Sequence, residues 1–212
     1  MYADILSYFE KNAADYAMSL LQHIRLSAIA VACAVCIGFP LGLLGARNKF
    51  LHRLLTEFFG LLRIIPSLAI LVICIPLIGV GALPAGVALT ILAIPPILIN
   101  TAAGFSSVPY SVKETAVGMG MGPGLVFYKV ELPLAAPLIL TGLRTASVEV
   151  IASATLAAYI GGGGLGTIIF TGLGLYRMDL LIIGGLSVAA LSLAVDLLFY
   201  LMERLSTRHQ RV

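Results

Sequence analysis

The stretch IIPSLAILVICIPLIGVGALPAGVALTILAIPPILINTAAGFSSVPYSV, residues 64–112, carries no charged side chain. A helix crosses a hydrocarbon core of about 30 Å with about 20 apolar residues, so this run is long enough to cross more than once. Gly79–Pro84, read as GVGALP, interrupts it with turn formers. The run therefore reads as a helical hairpin with a tight outer turn, its second arm starting near Ala85. Pro95 and Pro96 in that arm predict a kink. Inside lipid the backbone must satisfy its own hydrogen bonds, and uninterrupted apolar runs of this length do so as helices.

Working outward, the same reading applies to the whole chain. Hydrophobic residues make up 60% of the sequence and charged residues only 11%, against roughly 25% charged in soluble domains. This excludes a soluble domain and predicts an all-α, polytopic membrane protein with about five transmembrane helices. Leu26–Ala46 forms an uncharged span before the first basic cluster, Arg47, Lys49, His52 and Arg53. Leu132–Ile160 is the fourth span and Met178–Glu203 the fifth, with Arg204, Arg208 and Arg211 making a basic tail. Cytoplasmic loops are enriched in Lys and Arg, so the N-terminus and the turn at Gly161–Gly166 are expected outside. Arg53, Lys113 and the C-terminus are then expected on the cytoplasmic side of the cell membrane. Residues 1–18 mix Asp4, Glu10, Lys11 and Asp15 with aromatic residues and suit an interfacial segment. The transmembrane domain is expected over 19–205, with a cytoplasmic tail over 206–212. The formal charge of +3 does not point to nucleic acid. Three cysteines in apolar runs form no disulfide framework, and Cys33-x-x-Cys36 lies within a span, where small-residue packing explains it.

One segment breaks the apolar pattern. KETAVGMGMGPGLVFYKVELPLAAP, Lys113–Pro137, mixes charges, glycines and prolines between two apolar stretches. Lys113, Glu114 and Thr115 read as a helix opening, and Pro123 as a helix stop. The alternating glycines Gly118, Gly120, Gly122 and Gly124 leave a surface that a partner can approach closely. Glu114-Thr115-Ala116, then Gly120, then Val130-Glu131-Leu132-Pro133 resembles the EAA loop of binding-protein-dependent ABC importer permeases. Thr115 replaces the first alanine of that motif and Val130 its isoleucine. The span order, with this loop at about 111–133 between spans three and four, resembles the type I (MetI-like) permease core.

Arg63-Ile-Ile-Pro-Ser-Leu-Ala69, Pro96-Ile-Leu-Ile-Asn100, Gly118-Met-Gly-Met121, Val130-Glu-Leu-Pro133 and Gly161-Gly-Gly-Gly-Leu-Gly166 resemble the osmoprotectant subgroup. That subgroup takes up glycine betaine, choline or carnitine. The resemblance implies a coupling helix that carries Glu114, Thr115, Ala116, Gly120, Leu132 and Pro133 and docks on a separate ABC ATPase. ATP and Mg are expected on that ATPase and no cofactor on this chain. A second permease subunit, identical or a paralogue, is implied as well. So is a separate extracytoplasmic binding protein, since the chain reaches Val212 without one.

The fourth span also holds ionisable residues, which are functional candidates in a membrane. Arg144 and Glu149 are five positions apart, roughly 140° around a helix, and so do not face each other. Thr141, Thr145, Glu149 and Ser153 share one face at i,i+4 steps. They either line a solute pathway, or Glu149 pairs with a base on another helix. Arg144 is expected to tie helices together or to snorkel, and Asn100 to hydrogen-bond across helices. Gly161, Gly162, Gly163, Gly164 and Gly166 form either a plain turn or an outer hinge. No Lys-Ser/Thr follows these glycines, so they are not a phosphate loop. His23, His52 and His209 converge on no acid or cysteine motif, which argues against a metal site or a membrane enzyme. Other open readings are the same fold carrying an amino acid or a sulfur-containing betaine, and an ATP-independent secondary transporter. The last would be expected to show inverted repeats, which are not seen.

Overall fold

The computed structural model describes residues 2–208. Of the expected basic tail, residues 209–212 and the side chains of 206–208 lie outside that description. Helices α1 (Tyr2–Arg47), α2 (Lys49–Leu62), α3 (Ser67–Ile78) and α4 (Ala82–Ser106) come first. Then follow α5 (Tyr110–Gly118), α6 (Pro123–Val126), α7 (Leu132–Ala157), α8 (Leu165–Gly174) and α9 (Met178–Arg208). The all-α expectation holds.

The boundaries follow from local chemistry. The expected N-terminal segment forms the first turns of α1, which kinks at Asn12 (φ −128°, ψ 22°). There the Asn12 side chain donates to the Tyr8 carbonyl at 3.1 Å. Asn48 starts α2 by accepting from the Phe50 and Leu51 amides at 2.9 and 3.3 Å, the usual role of an N-cap asparagine. Pro66 has no amide to donate and breaks the chain between α2 and α3. Gly79 (φ +92°) and Gly81 (φ +119°) make the outer turn before α4. Helix α4 then continues through Pro95 and Pro96 as one element.

Among the described residues, four helices are long and apolar enough to cross a membrane. The count becomes five if α2 and α3, bent by 90° at their break, act as one span. This amends the simple hairpin expected over 64–112. Helix α3 has 12 residues, about 18 Å at 1.5 Å per residue, too short to cross alone. Helix α8 was not foreseen at all, because the glycines before it suggested only a link.

The chain folds as two compact units. The first comprises Met1–Cys33, Ile65–Ala93 and Ser147–Val195. Its core joins Leu165 and Ile168 of α8 to Leu180 and Ile183 of α9, with Tyr8, Tyr16 and Leu20 of α1 packed on them. The Tyr16 hydroxyl lies 2.8 Å from that of Ser187, so the buried end of this tyrosine is satisfied. The second unit comprises Ala34–Ile64, Ile94–Ala146 and Asp196–Val212. Its core holds Phe105, Ala135 and Ile139, flanked by Phe39, Leu43 and Phe127. Helices there approach closely where glycine permits. A Cβ on Gly42 would lie 2.7 Å from the Leu98 carbonyl, and one on Gly142 would lie 2.8 Å from that of Pro96. Small residues at such crossings are how membrane helices gain packing contact.

Candidate functional site

The loop between α4 and α7 is built from short helices. Pro109 precedes α5 in an extended conformation (φ −61°, ψ 137°), so the helix begins earlier than its charges suggested. Lys113, Glu114 and Thr115 lie within α5 instead of opening it. Ala116 faces inward at 2% exposure, whereas Glu114 and Thr115 are exposed. The Thr115 hydroxyl donates back to the Ser111 carbonyl at 2.8 Å.

Gly120 ends this helix at φ +85°, in the left-handed region, where glycine avoids the Cβ penalty. Its amide donates to the Val117 carbonyl at 2.9 Å, and that of Met121 to Ala116 at 3.1 Å. A side chain at Gly120 would meet no other atom within 4 Å, so its constraint within the chain is conformational. Pro123 is the first residue of α6 and starts a helix instead of stopping one, as proline at N1 does. A wide π turn over Phe127–Glu131 then feeds directly into α7.

Two contacts brace this loop. Lys113 Nζ lies 2.8 Å from Glu131 Oε1, tying α5 to the turn before α7. Phe127 stacks on Phe105 of α4, with ring centroids 5.6 Å apart. Leu132 is half-buried in the same core, and Pro133 is exposed. The outer side presents Val117, Met119, Leu125 and Tyr128, all exposed. A braced, glycine-rich, apolar surface of this kind is suited to docking a partner.

On α7, the Thr141 hydroxyl donates to the Pro137 carbonyl at 3.0 Å and approaches Glu203 Oε1 at 3.4 Å. The Thr145 hydroxyl donates to the Thr141 carbonyl at 2.9 Å. Both threonines therefore satisfy themselves partly on their own helix. Thr141 and Thr145 belong to the second unit, and Glu149 and Ser153 to the first. Glu149 is half-buried and Ser153 buried.

Arg144 makes a bidentate pair with Asp196 of α9, at 2.5 Å (Nε–Oδ1) and 2.7 Å (Nη2–Oδ2). Glu203 Oε2 is 3.9 Å from its Nη1, and the Tyr200 ring centroid is 5.5 Å from its guanidinium carbon. Sequence reasoning singled out Arg144 but missed Asp196. The signal was present: Asp196 is an acid within the otherwise uncharged run 180–202, and Tyr200 and Glu203 follow at helical spacing. Asn100, by contrast, donates to Pro96 of its own helix at 2.8 Å.

The turn after α7 is tightly held. Gly161, Gly163 and Gly164 have φ of +81°, +75° and +83°. The Gly162 amide donates to the Ala157 carbonyl at 2.8 Å, and that of Gly81 to Ile160 at 2.7 Å. Gly166 packs so closely that a Cβ would lie 2.1 Å from the Thr155 carbonyl. Cys33 and Cys36 are exposed free thiols and Cys74 is buried. Among the described residues, no group of three or more His, Cys, Asp or Glu is placed to hold a metal.

Residues 38–208 match the family described as the binding-protein-dependent transport system inner membrane component. The chain belongs to that family. It is a multi-pass inner-membrane permease component. It is 40% identical over 200 residues to the choline transport system permease protein OpuBB of Bacillus subtilis, covering 94% of this chain and 92% of that one. The carnitine transport permease protein OpuCB of Listeria monocytogenes is 41% identical over 192 residues, covering 91% and 88%. The osmoprotectant import permease protein OsmW of Salmonella typhimurium is 36% identical over 205 residues, covering 94% and 95%. Among solved structures, the inward-facing MetNI methionine ABC transporter superposes with a TM-score of 0.77 at 21% identity, over 91% of this permease and 96% of that chain. That likeness establishes a shared permease fold.

Proposed function

We propose that this permease carries a small quaternary-ammonium solute, such as choline, carnitine or glycine betaine, in an ATP-driven importer. The observation that carries the solute class is the match to choline, carnitine and osmoprotectant permeases at 36–41% identity over nearly their full length. The methionine transporter is alike in fold only and gives no reason to prefer an amino acid.

In this reading a separate ATPase binds ATP and magnesium and docks on the exposed side of α5 and α6. Glu114, Thr115, Ala116 and Gly120 form the docked helix and its end, while Leu132 and Pro133 pass its movement into α7. Closure of two ATPases draws two such loops together and reorients the spans, an alternating-access cycle. The second loop comes from an identical permease or a paralogue. An extracytoplasmic binding protein delivers the solute to the side where Gly161–Gly164 and Gly166 form an outer hinge. Arg53, Lys113 and the 206–212 tail are then cytoplasmic, and residues 1–18 lie at the outer interface. Thr141, Thr145, Glu149 and Ser153 line the pathway of α7.

The exposed, braced loop favours an ATP-coupled cycle over a secondary transporter, which would have no use for it. Proteoliposomes holding the permease, its ATPase and its binding protein test the proposal with labelled choline, carnitine and glycine betaine. Accumulation that requires ATP inside supports it. Accumulation without ATP would contradict the coupling, and ATP-driven uptake of amino acids alone would contradict the solute class.

A further inference from the structure

One buried side chain joins the turn after α7 to the first helix. His23 of α1 is 0% exposed, and its Nε2 lies 3.0 Å from the Ile151 carbonyl of α7. A carbonyl only accepts, so Nε2 carries the proton and donates. Nδ1 is buried without a hydrogen-bond partner. It faces the glycine turn: a Cβ on Gly164 would lie 3.0 Å from Nδ1 and 3.2 Å from the His23 Cα and Cβ. Next to it, the Gly164 amide donates to Gln22 Oε1 at 3.3 Å. A Cβ on Gly163 would lie 2.8 Å from that same oxygen. Gln22 and His23 thus form a two-residue seat into which only a bare glycine backbone fits.

The choice of histidine needs an explanation. A leucine of similar volume would fill this space with no unpaired nitrogen to bury. What leucine lacks is a directed bond, which fixes the rotation and register of α1 against α7 where apolar packing permits sliding. We propose that His23 is a positioning residue for transport. With Gln22 it seats Gly163 and Gly164 on α1, so that this part of α1, the end of α7 and the turn move as one body when the permease reorients. This rests on the importer reading above.

The test uses the full complex in proteoliposomes and measures choline imported per ATP hydrolysed. His23→Leu removes the donor, whereas His23→Gln keeps an N–H able to reach the Ile151 carbonyl. Gln22→Leu alters an exposed side chain and removes the acceptor for Gly164. His23→Leu is expected to lower the ratio by about fivefold or more, and His23→Gln to keep it within about twofold. Gln22→Leu should fall between them. An unchanged ratio in His23→Leu overturns the proposal, as does equal loss in the leucine and glutamine variants. If His23→Leu fails to assemble, Gln22→Leu decides alone, and an unchanged ratio there overturns it. Should the wild-type complex import no choline, the solute reading fails separately. Stimulation of ATP hydrolysis by the binding protein then decides the role of His23: lost in His23→Leu and retained in His23→Gln supports it, and any other pattern overturns it.

Discussion

Gly118→Glu separates docking from folding at the coupling loop. Gly118 is the exposed last residue of α5, and a Cβ there meets nothing within 4 Å. Replacing a helical glycine by glutamate gains about 0.5–1 kcal/mol in helix propensity. A negative charge at the C-terminal end of a helix costs about 0.3–1 kcal/mol. The two nearly cancel, so stability should change by less than about 0.5 kcal/mol. Gly120 would be a poorer probe, because its φ of +85° makes any side chain costly by about 1–2 kcal/mol whatever it touches. At an ATPase interface the outcome differs. A carboxylate forced into a packed contact without a partner costs about 2–4 kcal/mol, which is about 30- to 700-fold in Kd. Detergent melting of the isolated permease and co-purification of the ATPase, measured on one preparation, provide the assay. An unchanged melting temperature with the ATPase lost is expected. Normal ATPase retention would refute the placement of the docking surface on α5.

Three further outcomes are expected. Gly142→Ala inserts a methyl 2.7 Å from Asn100 Cβ and 2.8 Å from the Pro96 carbonyl, and should destabilise by about 1–3 kcal/mol in a denaturant titration; a stability equal to wild type would mean that α4 and α7 are not this close. Arg144→Met leaves Asp196 without its bidentate partner and should lower the melting temperature, whereas Arg144→Met with Asp196→Leu should recover most of the loss, since a paired apolar replacement leaves no orphan charge. Glu149→Gln should reduce uptake of cationic choline more than that of zwitterionic glycine betaine; equal loss for both with a lowered melting temperature would return Glu149 to the scaffold.

Most of the helices were legible because lipid simplifies the reading. Charge-free runs must be helical, and Gly79–Gly81 and Gly161–Gly164 end them where positive φ is needed. The loop between α4 and α7 stood out by its composition, but its geometry was not legible. Pro109 and Pro123, which both initiate helices here, shifted α5 upstream and created α6, since proline disfavours the interior of a helix but suits its start. The break at Pro66 was missed because Ile64–Ile78 carries no charge and is almost wholly apolar, and hydropathy does not register a missing amide. The Arg144–Asp196 pair was half legible: each charge is visible on its own helix, but only tertiary packing brings α7 and α9 together. His23 gave no motif signal, because its partner is a backbone carbonyl, which every residue has.

In the proposed complex the surface of α5 and α6 receives the ATPase. Photo-crosslinking amino acids placed singly at Met119, Leu125 and Tyr128, all exposed, test it most directly in the assembled complex. Tyr159, exposed beside the glycine turn, serves as the comparison. ATPase adducts are expected from positions 119, 125 and 128 and none from 159. Adducts from 159, or none from the three loop positions in a complex that still hydrolyses ATP, would contradict it.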